Sequence, residues 1–111
     1  MLIFVFSESP VVFSKTEISE RDYVAVDEMK WFNFTSLARK GYMPESVKSL
    51  ADISQYGSTE IDCETVVKIR KGIKLIDLDV LPFNIGGFLN EIVKLIDGNS
   101  DSNLSLWVIG D

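Results

Sequence analysis

The stretch Pro82-Phe83-Asn84-Ile85-Gly86-Gly87-Phe88-Leu89-Asn90-Glu91-Ile92-Val93-Lys94-Leu95-Ile96 decides how this chain is read. Ile85, Phe88, Leu89, Ile92, Val93 and Ile96 recur at steps of three and four. That spacing winds one apolar stripe along an α-helix, and a stripe of this kind must be buried against something. Gly98 and Asn99 mark its end.

What lies on either side of this helix supplies the surface it packs on. Downstream, Leu104 to Ile109 alternates Leu104, Leu106 and Val108 with Ser105, Trp107 and Ile109, the pattern of a strand covered on both faces. At the other end of the chain, Leu2 to Phe6 is an apolar run rich in β-formers. Ser7-Glu8-Ser9-Pro10 breaks that run, and Val11-Val12-Phe13 resumes it, so the two pieces read as a hairpin. Thr16 to Asp22 is a loop or a short helical turn, and Tyr23-Val24-Ala25-Val26 is a third strand.

The middle of the chain is helical. Asp27 caps a helix over 28–40, with Trp31, Phe34, Leu37 and Ala38 inward and Gly41 as the stop. Trp31, Phe32 and Phe34 cannot share one narrow face, so this helix is expected to be buried widely; an exposed Trp31 or Phe32 would instead mark an interface. Pro44 opens a short helix to about Ile53. Gln55-Tyr56-Gly57-Ser58 reads as a loop, and Ser58 or Thr59 as the cap of a helix that carries Val66, Ile69 and Ile73 inward and weakens at Gly72. Leu75 to Leu81 reads as a strand or extended link.

These elements give the fold class α+β: a small sheet of N-terminal strands plus the C-terminal strand, packed against about four helices, a single layer of each. The 111 residues make one domain, 1–111. With 46% apolar and 25% charged residues it can build an ordinary core. The single cysteine, Cys63, cannot form an internal disulfide. The apolar N-terminus is too short for a signal peptide, and no apolar run reaches membrane-spanning length, so a cytoplasmic protein is expected.

The composition also narrows the chemistry. There is no histidine, which removes the commonest general base and every nucleophile pair built on it. One cysteine and no histidine cannot make a zinc site. No phosphate-binding or dinucleotide-binding glycine pattern is present. The expectation is a non-catalytic protein without cofactor or resident metal.

Three short patterns are weighed against structural roles. Asp77-Leu78-Asp79 would set two carboxylates on one side of a strand, as a metal-dependent enzyme requires, but two solvated aspartates explain it more simply. Gly86-Gly87 fits close packing of a helix end better than an anion cradle. Lys68, Lys71 and Lys74, with Arg70, fit a solvated helix face.

The charge is more telling. Seventeen acidic residues against eleven basic ones leave a net charge of -6, which opposes direct binding to nucleic acid or to an anionic membrane. Between Glu45 and Glu64 stand five acids and one base, with Tyr56 among them. Asp52, Tyr56, Glu60, Asp62 and Glu64 are therefore the candidate partner-binding residues. An aromatic anchor ringed by carboxylates suits a basic protein partner, because charge steers the encounter and the ring supplies buried area. Capping of the following helix is the competing role for Glu60, Asp62 and Glu64. The expected class is a binding module that neutralises or regulates a partner, comparable to the bacterial immunity proteins and antitoxins. This is an analogy of class and not a motif match. Self-association through Trp31, Phe32 and the strand edges is the remaining alternative.

Overall fold

The computed structural model describes residues 1–7, 23–41, 43–53, 56–100 and 104–110. The expected piece Val11-Val12-Phe13 and the loop from Thr16 to Asp22 lie outside these residues. Four strands form one antiparallel sheet in the order β2-β1-β4-β3. They are β1 (Leu2–Ser7), β2 (Tyr23–Val26), β3 (Ser58–Ile61) and β4 (Ser105–Ile109). The C-terminal strand pairs directly with the first, Phe4 opposite Val108 and Val5 opposite Trp107.

Four helices accompany the sheet: α1 (Glu28–Arg39), α2 (Glu45–Lys48), α3 (Cys63–Lys74) and α4 (Ile85–Gly98). Tight turns of 3₁₀ helix follow α2 (Ser49–Asp52) and precede α4 (Leu78–Val80). Two of the longer helices start on a side-chain cap. Asp27 accepts the Lys30 N–H at 2.7 Å and caps α1. Asp62 does the same for α3 through the Thr65 N–H at 2.8 Å.

Alternation along β1 and β4 sorts the side chains onto two faces. Leu2, Phe4, Phe6, Leu106 and Val108 join the main core with the apolar stripes of the helices. At its centre Phe88 of α4 meets Phe4 at 5.8 Å and Phe34 at 5.5 Å, and Trp31 stacks beside Phe34 at 5.3 Å between ring centroids. Val5 and Trp107, neighbours in register, are buried as well but stand outside that core, on the opposite face.

Three expectations are corrected. Ser58 and Thr59 do not cap a helix; they begin β3, and the cap is Asp62. Pairing with β4 holds this polar stretch extended, a long-range contact that overrides local propensity. Leu75 to Leu81 contains no strand: Asp77 Oδ1 accepts the Asp79 N–H at 3.2 Å and folds Leu78–Val80 into a turn. Finally, α1 is not buried all round. Trp31 and Phe34 point inward and Phe32 points to solvent, as their angular spacing demands.

Candidate functional site

Glu60, Asp62 and Glu64 lie on or just after β3, which is an edge of the sheet. Gly57 precedes the strand at φ +77, a left-handed conformation that glycine adopts without strain. Its carbonyl accepts the Gly110 N–H at 2.7 Å and fixes the register of β3 on β4. From that bond the alternation of an antiparallel ladder follows. Thr59 and Ile61 face Val108 and Leu106 as hydrogen-bonded pairs, while Ser58 and Glu60 face Ile109 and Trp107 without exchanging bonds. The backbone N–H and C=O of Ser58 and Glu60 therefore point away from the sheet.

The side chains alternate too. Ile61 is buried toward the helices, and Glu60 is exposed on the other face, across from Trp107. At the C-terminal end of β3, Asp62 and Glu64 open α3 and are exposed. The Asp62 carboxyl is held below its ordinary value, first by the Thr65 backbone N–H, then by the Thr65 side chain, with the Lys68 charge adding to the effect. Asp62 thus serves the helix while its charge stays at the surface.

Tyr56 stands at the other end of β3 and is 74% exposed. It borders a small hollow shared with Met1, Leu2, Trp31, Asp27 and Glu28. The acids that share this hollow are Asp27 and Glu28 at the start of α1, which follows β2 at the opposite edge of the sheet, an association invisible to local spacing. Asp52 ends the 3₁₀ turn after α2, exposed, and no described contact joins it to β3. Four of the five predicted residues thus lie on or beside β3, Tyr56 before it, Glu60 on it and Asp62 and Glu64 after it, while Asp52 stands apart on the turn that follows α2.

The other patterns resolve locally. Asp77 is engaged as a turn cap, and among the described residues no group of three or more Cys, Asp or Glu comes together to hold a metal ion. Gly86 is packed against the backbone of Leu78, as close packing of the helix end requires. Lys68, Lys71 and Lys74 are solvated, and Arg70 donates through Nε to Asp97 Oδ1 at 2.6 Å, tying α3 to α4. That contact lowers the Asp97 carboxyl, the Arg70 hydrogen bond being the main cause. Cys63 begins α3 and is exposed.

One surface escaped the sequence reading. Leu75, Val80 and Phe83 are exposed at 80%, 73% and 66% around the turn between α3 and α4. Phe83 and Asn84 both lie in the left-handed region, φ 59 and 57. Asparagine tolerates this conformation; for a bulky ring it is strained. No described helix is long and apolar enough to cross a membrane.

Comparison with protein-family models, with curated proteins and with solved structures yields no match for this chain.

Proposed function

We propose that this chain is a non-catalytic module that binds a basic protein through the β3 edge and thereby neutralises or regulates it, as an immunity protein or antitoxin does. The observation behind the reading is Glu60, exposed on an edge strand, with Asp62 and Glu64 at one end and Tyr56 at the other, the tyrosine bordering a hollow that Asp27 and Glu28 also line. Carboxylates arranged this way speed encounter with a positive surface, and the tyrosine offers an anchor at its rim. Capture from host lysate at low and moderate salt tests the reading, with the E60K/E64K double variant beside the wild type. The expected result is one stoichiometric basic protein, released by salt and bound at least tenfold more weakly by the variant. Equal retention by both chains would remove the acidic edge from the account. Inhibition of the captured protein's own activity at a 1:1 ratio is the further result that the neutralising role requires.

The exposed Phe32 favours a second reading, self-association, although Trp31 is buried and plays no part in it. Sedimentation showing a clean monomer at high concentration eliminates that reading.

A further inference from the structure

We infer that the partner docks on β3 as an added strand, an extended segment with lysine or arginine at alternate positions. The inference rests on the acidic-edge reading above and adds the form of the partner to it.

The geometry supplies the docking groups. Ser58 and Glu60 turn their N–H and C=O outward, and among the described residues nothing else bonds them. An antiparallel segment laid along β3 can exchange two hydrogen bonds with each. Its side chains then alternate as those of β3 do. One set falls beside Glu60 on the outer face, where a cation meets the carboxylate; the other falls beside Thr59 and Ile61, where a β-branched apolar residue continues the core-facing side.

Charge decides the occupant. A second copy pairing β3 against β3 would bring Glu60, Asp62 and Glu64 against their own kind, and like charges across a ladder repel. A short, charged edge is the usual protection against such self-pairing. A basic strand reverses the sign of the same term. Lys68, whose charge acts on Asp62, lies within α3 and not on the strand. The opposite edge, β2, offers no such selectivity: Tyr23 and Ala25 share a hollow there with both Glu91 and Lys94 of α4.

The test uses the isotope-labelled full chain and a capped hexapeptide alternating lysine and valine. Amide exchange at Ser58 and Glu60 is followed by NMR up to millimolar peptide. Both amides are expected to slow at least tenfold. Two control peptides, one N-methylated at alternate residues and one with glutamate in place of lysine, should leave them unchanged. S58P removes an outward N–H that β4 does not use, so it should abolish peptide binding; the exchange data on the wild type stand independently of how that variant folds. No slowing with the lysine peptide overturns the inference, and so does equal slowing with the glutamate peptide. Binding that E60Q weakens, without protection of Ser58 and Glu60, overturns strand addition alone and leaves the acidic-edge reading in place.

Discussion

A Cβ placed on Gly86 would stand 2.2 Å from the carbonyl oxygen of Leu78. The first turn of α4 is thus pressed onto the backbone of the 3₁₀ turn before it, and only a residue without a side chain fits. G86A must displace backbone, at a cost of about 1–3 kcal/mol. Gly98, at the far end of the same helix, meets nothing, and its φ is ordinary. G98A is expected to stabilise by about 0.4–1 kcal/mol, because it restricts only the unfolded chain. Urea unfolding of the two variants checks the contrast; similar midpoints would mean that α4 does not abut Leu78 as described.

Phe88 and Phe32 make a second pair of opposites. Phe88 touches Phe4, Trp31 and Phe34 inside the core. F88A should cost about 3–5 kcal/mol, a large part of what holds a domain of this size together. F32A should lie within about 0.5 kcal/mol of the wild type, since that ring projects into solvent. Thermal unfolding distinguishes them directly.

Asp62 gives the acid limb of stability a defined contributor. Its carboxyl titrates lower in the folded chain than the ordinary value of 3.8. The charged form therefore favours folding at all pH values above that ordinary value, and the contribution disappears as pH falls through the lowered one. D62N keeps a capping oxygen but cannot titrate. The stability gap between wild type and D62N should be open at neutral pH and close on acidification below the carboxylate range, as measured by denaturant midpoints across pH. A gap that is constant with pH would show that the Thr65 contact gains nothing from the charge.

The left-handed Phe83 predicts a gain from a loss. F83G removes an exposed ring and relieves a conformation that costs a side-chain-bearing residue roughly 1–2 kcal/mol. A net stabilisation of up to about 1 kcal/mol is expected from calorimetry. A decrease would show that the part of the ring that is covered outweighs the strain.

The elements with strong periodicity were legible from the sequence. The stripe from Ile85 to Ile96, the run Leu2 to Phe6 and the alternation Leu104 to Ile109 all mark real elements, because burial of one face is written directly into residue spacing. β3 was not legible. Ser58-Thr59-Glu60-Ile61 has a single apolar residue and resembles a helix start, and its extended form depends on β4, more than forty residues away. Long-range placement also hid half of the candidate site. Tyr56 and the acids after it stood out by composition, yet Asp27 and Glu28 meet Tyr56 only across a hollow at one end of the sheet. Helical geometry left an exposed Phe32 as the alternative to the wide burial that was expected, whereas Leu75, Val80 and Phe83 were obscured by an Asp77 turn that breaks the regular spacing.

The place of β4 also bears on how the chain is made. Among the described strands it is the last to be synthesised, yet it lies between β1 and β3 and joins them. While the ribosome still holds residues 105–109, the described strands offer β1 only β2 as a partner and offer β3 none. Emergence of those few residues completes both ladders together, so the sheet assembles after translation has passed Ile109 and not progressively from the N-terminus. Until then β3 and one edge of β1 lack the strand that pairs with them, which makes the nascent chain, more than the folded one, dependent on protection from aggregation.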